Sequence, residues 1–278
     1  MKYLDLTWPT PEENLACDEA LLDWCEDGYD HEVLRFWEHT DPFVVLGYSN
    51  RAQTEADLDA ARRAGIPVLR RCTGGGAVVQ GSGCLNFSLI LRIAEEGPLK
   101  SISETNSFIM QKHRDVMAAI LTHKCHPERS EGSLFLETEI LRGVYTERSR
   151  SAQNDNAVHG DTIKVQGATD LALGDLKFSG NAQRRKRKFL LFHGTFLLGV
   201  DIELIERVLP MPSRQPDYRR GRRHRKFLTN LSGISARQIK ETLKSTWGAQ
   251  EPLREFPANR TAALAVNRYA TKDWTFKF

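Results

Sequence analysis

The chain has 278 residues, enough for one large domain or two small ones with a sizeable core. Its 40% hydrophobic and 27% charged content is that of an ordinary soluble globular protein, and a net charge of +3 gives no bulk argument for a nucleic-acid partner. No apolar run reaches membrane-spanning length, and the first residues lack the apolar core of a signal peptide. The five cysteines are scattered, odd in number and free of any C-x-x-C, which argues against a disulfide framework or zinc cluster and fits a reducing cytoplasm.

Thr10-Pro11-Glu12-Glu13 has the pattern of a helix start, with Thr as N-cap, Pro at the first position and Glu at the third. Cys17, Ala20, Leu21 and Trp24 then share one apolar stripe, so Cys17 and Cys25 read as packing residues. Strands are expected at Val33–Trp37 and Phe43–Leu46, joined through Thr40-Asp41-Pro42. Gly47-Tyr48-Ser49-Asn50 follows and is placed to reach a ligand. Residues 54–64 read as a single capped helix closed by Gly65.

Residues 70–88 are the most informative stretch. Arg70 and Arg71 lead into Gly74-Gly75-Gly76, then Ala77, Val78 and Val79; a second glycine turn opens an apolar strand at 85–91 that carries Asn86. Glycines admit positive φ and close approach, so their N–H groups can converge on an anion, with the arginines supplying charge at the edge of the cradle. No Gly-Lys-Ser/Thr follows and no helix starts behind the loop, so this is neither a Walker A loop nor a dinucleotide fingerprint. On these residues alone, an anion site and a plain glycine-rich hairpin stay equal.

A helix is expected over 103–123, with Ile109, Val116, Met117, Ile120 and Leu121 on one face and His113 among them as a core histidine. Residues 125–160 are polar and unperiodic and resemble translated intergenic repeat DNA; an exposed or partly disordered insertion without a chemical role is expected. His123, Cys125 and His126 lack the second ligand pair a zinc site needs. Strands at 162–165 and 168–173 precede a hairpin turn at Gly174-Asp175, and the return strand carries Lys177, Ser179, Gly180 and Asn181. A basic run at 184–188 leads into an apolar strand over 189–198 that contains His193, then a short helix at 201–209 and a second basic stretch at 214–226. Ser235 and Gln238 form a capping box for a helix carrying Ile239, Leu243 and Trp247. Beyond 250 the pattern is mixed, and residues 251–278 are expected as a tail.

In order, the segments Arg-Arg-x-x-Gly-Gly-Gly-Ala-Val, Lys-Phe-Ser-Gly-Asn-Ala-Gln-Arg-Arg and Phe-His-Gly-Thr-Phe-Leu-Leu resemble the lipoate–protein ligase family, within the lipoyl/biotinyl ligase and octanoyltransferase group. Glu13–Leu22, Val44–Ser49 and Phe227–Leu231 look like it too, so the resemblance covers about residues 1–124 and 160–250. It implies an α+β fold, a mixed, mostly antiparallel sheet flanked by helices, akin to biotin ligases and class II aminoacyl-tRNA synthetases, with residues 1–250 as the catalytic domain.

The resemblance further implies ATP-dependent activation of lipoic acid, or a similar medium-chain acid, as an acyl-adenylate. The acyl group then passes to one lysine of a lipoyl domain, in the E2 subunits of 2-oxoacid dehydrogenases or in the glycine cleavage H protein. Lys177 matches the lysine that contacts acyl carbonyl and phosphate. Arg70, Arg71, Gly74, Gly75, Gly76, Ala77, Val78, Val79, Asn86, Ser179, Gly180, Asn181 and His193 match nucleotide- or acyl-adenylate-binding positions. Asp170 is the one candidate for helping to hold Mg²⁺ with phosphate oxygens.

Two departures from the family pattern bear on activity. Full-length ligases often carry a C-terminal accessory domain; here it is expected to be missing or vestigial, which would imply a separate accessory polypeptide or a partial reaction. The octanoyltransferase relatives use a cysteine just before the lysine motif and need no ATP; no cysteine lies between Cys125 and the end of this chain, which favours ligation with ATP. Octanoyl or lipoyl transfer without ATP, and non-catalytic binding of lipoate or lipoyl domains, are the alternatives. The basic stretches suit acidic lipoyl domains; nucleic acid ranks last because no aromatic residues interleave the 184–188 run.

Overall fold

The computed structural model describes residues 1–125 and 162–278. Residues 126–160 of the insertion expected at 125–160 lie outside the described residues, as do the side chains of His123, Cys125 and His126.

Eleven strands form two sheets among these residues. In chain order they are β1 (Lys2–Asp5), β2 (Val33–Trp37), β3 (Phe43–Leu46), β4 (Val68–Arg70), β5 (Val78–Gln80), β6 (Cys84–Arg92), β7 (Ile163–Gln166), β8 (Asp170–Leu173), β9 (Leu176–Arg185), β10 (Phe189–Leu197) and β11 (Glu251–Pro252). The larger sheet runs β11-β1-β2-β6-β10-β9-β8-β7, parallel at the β11-β1-β2 edge and antiparallel elsewhere. The smaller, β4-β3-β5, is parallel between β3 and β4 and antiparallel between β3 and β5. The helices are α1 (Pro11–Glu26), α2 (Ala52–Glu55), α3 (Leu58–Arg63), α4 (Ile102–Cys125), α5 (Ile202–Val208), α6 (His224–Phe227), α7 (Ala236–Thr246), α8 (Ala258–Leu264) and α9 (Lys272–Thr275). The expected α+β architecture, a mostly antiparallel sheet flanked by helices, is the one observed. No helix among the described residues is long and apolar enough to cross a membrane.

Strand alternation explains where the site can lie. Leu34 and Phe36 of β2, Leu85, Phe87, Leu89 and Leu91 of β6, and Leu190, Phe192 and Phe196 of β10 face α4 and α7 and make the main core. The other face carries the intervening residues. It is apolar at one end, where Val33, Ile90, Phe189 and Leu191 meet α1, and polar further along, where Arg35 pairs with Ser88 and Ser88 with His193, and Trp37 pairs with Asn86 and Asn86 with Thr195. Buried polar residues at alternate positions of otherwise apolar strands mark the floor of a site.

Helix α1 starts as expected, with Thr10 and Glu13 exchanging both bonds of a capping box. The helix expected at 54–64 is instead two, because Asp57 caps the N-terminus of α3 by accepting from the Ala60 N–H at 2.8 Å. Residues 251–278 are no tail. Helix α8 and the π-helical turn Ala265–Tyr269 pack on α1, and the fully buried Tyr269 donates its hydroxyl to Glu19 at 2.8 Å. Arg184 and Arg268 bind the other oxygen of Glu19 at 2.7 and 2.8 Å. Helix α1 is thus covered on both sides, which is why its adjacent acids Asp18 and Glu19 are both buried and serve different neighbours.

Burial opposes ionisation of Asp18 and Glu19. Arg35 and His193 for Asp18, and Tyr269, Arg184 and Arg268 for Glu19, outweigh it and hold both carboxyls below their ordinary values. An unfolded chain therefore binds more protons than the folded one just below about pH 4, so stability rises with pH through that window. The stabilisation is complete above the ordinary carboxylate values and is lost as pH falls through the depressed ones. Urea midpoints measured from pH 6 down to pH 3 are expected to fall steeply in the acid limb, and Glu19→Gln to flatten that slope.

The basic run at 184–188 is largely used inside the fold. Arg184 binds Glu19, Lys186 pairs with Asp23 at 2.5 Å, and Arg185 donates to the carbonyls of Leu99 and Lys100. In the second stretch Arg219 is buried, while Arg214, Arg220, Arg223, Arg225 and Lys226 stay exposed.

Candidate active site

A cavity of about 360 Å³ opens on the polar part of the sheet face, between the glycine loop, α1, β9 and the segment from α5 to α6. Arg71, Gly75, Gly76, Ala77, Val78 and Val79 line it on the loop side. Asn86, His193, Lys177, Gly180, Asn181 and Asp170 line it from the large sheet. Arg70, Gly74 and Ser179 do not.

Lys177 reaches the cavity because of a register shift. Asp170 pairs with Gly180 and Leu171 with Ser179, but Ala172 pairs with Lys177, so β9 carries one extra residue there. In a regular strand Lys177 would share a face with Ser179 and Asn181; the bulge moves it to the face of Gly180 and Asp170. The Lys177 ammonium ion-pairs with Asp170 Oδ1 at 2.8 Å, and a Cβ on Gly180 would lie 2.7 Å from Nζ. Ser179, expected at the site, points to the α4 side and is fully buried. The Lys177 carbonyl accepts from the Thr229 N–H at 2.9 Å, so the Phe227–Leu231 segment anchors its backbone.

Asp170 has both oxygens occupied, Oδ1 by Lys177 and Oδ2 by the Tyr218 hydroxyl at 2.8 Å. Burial and the Asp170 carboxylate push the Tyr218 phenol up, so it stays protonated and donates. No cluster of three His, Cys, Asp or Glu side chains assembles among the described residues. This donor set does not fit a protein-held Mg²⁺.

The two arginines of the loop diverge, as successive residues at a strand end must. Arg70 is completely buried and points away from the cavity. Its guanidinium donates to the carbonyls of Gly47, Tyr48 and Asn50 and, across the fold, to those of Trp274 and Thr275. It clamps α9 to the β3–α2 loop rather than binding a ligand. The segment Gly47-Tyr48-Ser49-Asn50, expected to reach a ligand, braces the loop from behind: the Tyr48 N–H donates to the Thr73 carbonyl at 2.7 Å, and a Cβ on Gly47 would sit 2.0 Å from the Gly75 carbonyl oxygen.

Arg71 lies beneath the loop instead of at its edge. It donates to Thr73 Oγ1 at 3.0 Å, to the Gly74 carbonyl at 2.6 Å and to the Gly76 carbonyl at 2.9 Å. Burial lowers its pKa to about 10, which leaves it charged at neutral pH. Gly75 adopts φ +90°, a conformation that favours glycine. His193 faces Asp18 Oδ2 through Nδ1 at 3.0 Å and Thr73 Oγ1 through Nε2 at 2.7 Å. Gln80, Asn86 and Thr195 form a second chain on the floor, with bonds of 2.7 and 2.6 Å. Thr73 and Gln80 are not singled out in the sequence, and Asp18 and Thr195 lie inside the family-like segments Glu13–Leu22 and Phe-His-Gly-Thr-Phe-Leu-Leu without being marked as site residues; polar residues at alternate positions of apolar strands could have flagged Thr195.

The family model of the lipoyl protein ligase A/B catalytic domain matches residues 10–123 and 149–245. The chain belongs to this family. Among curated relatives, octanoyltransferase LipM of Geobacillus kaustophilus is 26% identical over 99% of this chain and 98% of its own. Lipoate-protein ligase A subunit 1 of Thermoplasma acidophilum is also 26% identical, over 94% of this chain and 90% of its own. A solved bi-partite lipoate protein ligase from T. acidophilum, described with its E2 lipoyl domain, shares the fold at TM-score 0.72 and 21% identity, covering 99% of this chain and 95% of that one. Family membership makes this a lipoate- or octanoate-attachment protein and leaves two chemistries, ligase and transferase, among its relatives.

Among the cysteines whose side chains are described, none is an accessible thiol. Cys17, Cys25, Cys72 and Cys84 are all buried, and burial pushes the thiols of Cys25, Cys72 and Cys84 up to about 12.

Proposed function

We propose that the chain is an AMP-forming ligase that activates lipoate, or a similar medium-chain acid, with ATP and transfers the acyl group to a lysine of a lipoyl-domain protein. The observation that carries this reading is the convergence of the Lys177 ammonium and the Gly75–Val79 backbone on one cavity. In the first step a carboxylate oxygen attacks the α-phosphorus of ATP and pyrophosphate leaves. Two anions must meet, so a fixed cation and oriented N–H donors are the groups the step needs most. In the second step the acceptor amine attacks the acyl carbonyl and AMP leaves; an ammonium beside that carbonyl follows the negative charge from phosphate to oxyanion. Leu15, Trp37 and Val45 offer apolar wall for an acyl chain.

Lipoyl domains as acceptors, and a separate accessory polypeptide, are supported by the bi-partite relative described with its E2 lipoyl domain. The exposed arginines between 214 and 226, with Arg214 beside the cavity, suit an acidic domain. The LipM relatives favour a second reading, octanoyl transfer without ATP.

One experiment separates the two readings. The chain is incubated with a lipoyl domain and either lipoate or octanoate plus ATP, or an octanoylated carrier without ATP; pyrophosphate release and acceptor mass are then recorded. The expected result is pyrophosphate release and acylation only with ATP, unchanged when Cys17, Cys25, Cys72, Cys84 and Cys125 are replaced one at a time by alanine. Acylation without ATP that one of these substitutions abolishes overturns the ligase reading.

A further inference from the structure

We propose that Asp18 and His193 are positioning residues which, through the Thr73 hydroxyl and Arg71, fix the turn of the glycine loop that presents N–H donors to the nucleotide; the inference rests on the ATP-dependent reading above. Asp18, on α1, accepts from Arg35 Nη1 at 2.6 Å on one oxygen and meets His193 Nδ1 at 3.0 Å on the other. His193 Nε2 lies 2.7 Å from Thr73 Oγ1, which also takes the Arg71 Nε–H at 3.0 Å.

The proton count orders this relay. Arg71 can only donate, so it uses a lone pair of the Thr73 hydroxyl. The single Thr73 proton then goes to His193 Nε2, and the imidazole carries its own proton on Nδ1, facing Asp18. The opposite arrangement, Nε2–H donating to Thr73, would strand the hydroxyl proton on a residue only 1% exposed.

Arg71 passes the constraint to the loop. It holds the Gly74 and Gly76 carbonyls, and in a trans peptide the N–H of the next residue points the opposite way from the carbonyl. The Gly75 and Ala77 N–H groups are therefore turned away from the guanidinium. Both residues line the cavity, and neither N–H meets an acceptor among the described residues.

The Asp–His–hydroxyl order is also that of acyl-transfer triads. Thr73 is unsuited to be a nucleophile. It does not line the cavity, and Arg71 already occupies one of its lone pairs.

Two measurements on the full chain test the relay. Imidazole ¹⁵N spectra, with His193 assigned by loss of its signal in His193→Gln, are expected to show the Nδ1–H tautomer; an Nε2–H tautomer overturns the proposal. This arm needs no nucleotide, so it decides the relay even if the ATP reading fails. In ATP–pyrophosphate exchange, Thr73→Val is expected to raise the KM for ATP about tenfold with the acid KM within about twofold, while Thr73→Ser restores it. Thr73→Val combined with His193→Gln is expected to raise the ATP KM no further than the worse single change. Additive losses, or equal shifts in both KM values, overturn the relay; circular-dichroism melts confirm that each variant is folded.

Discussion

Gly180→Ala is expected to reduce acyl transfer by roughly a hundred- to a thousandfold while the protein stays folded. The added methyl would sit 2.7 Å from Lys177 Nζ and 2.8 Å from its Cε, the far end of a flexible side chain that can swing aside. Folding is therefore cheap to preserve, but the ammonium leaves the position it holds beside Asp170. Losing one preorganised transition-state donor typically costs about 10²–10³ in rate. Lys177→Met should match or exceed that loss. Lys177→Arg should rescue poorly, because the planar fork is larger than the space Gly180 leaves free and does not act as a compact charge. Steady-state kinetics of acceptor acylation, with thermal melts alongside, check all three. A Gly180→Ala enzyme with near-normal turnover would mean that Lys177 does not act from this position.

Arg35→Met is expected to cost about 3–5 kcal/mol of stability, a larger effect on the fold than any of the loop or lysine substitutions. Arg35 is completely buried and bonds Asp18 at 2.6 Å, the Asn14 carbonyl at 2.8 Å and Asn14 Oδ1 at 3.0 Å. Its removal leaves the Asp18 carboxylate buried without its cationic partner, beside His193 and Ser88. A loss of that size lowers Tm by roughly 10 °C in a chain of this length. Adding Asp18→Leu should recover much of it, since replacing a buried ion pair by apolar groups is often close to neutral. Urea unfolding of the single and double variants measures both numbers.

Local rules in the chain suffice for much of this architecture. The Thr10–Glu13 capping box, the strands Val33–Trp37 and Phe43–Leu46, and the hairpin at Gly174-Asp175 depend on residues close in sequence, so they can be read without coordinates. The order of the three motifs is enough to indicate the family, and with it Lys177 and most of the glycine loop. The split of residues 52–63 into α2 and α3 is not legible, because Asp57 reads equally well inside a helix or as a cap until the chain around it is placed.

The linear order of residues specifies which chemical types the site has: bare amides, one lysine and a histidine on a β-rich scaffold. Which of them meet depends on packing. A one-residue bulge, invisible to a period-two pattern, makes Gly180 rather than Ser179 the neighbour of Lys177. Strand pairing and the packing of α9 send Arg70 to the far side of the loop and Arg71 beneath it, although the two look interchangeable in a row. Asp18 joins the site from a helix 175 residues away from His193. The physical reason is common to all three: side-chain direction is a property of register and packing, and both are fixed by contacts between segments that are distant in the chain.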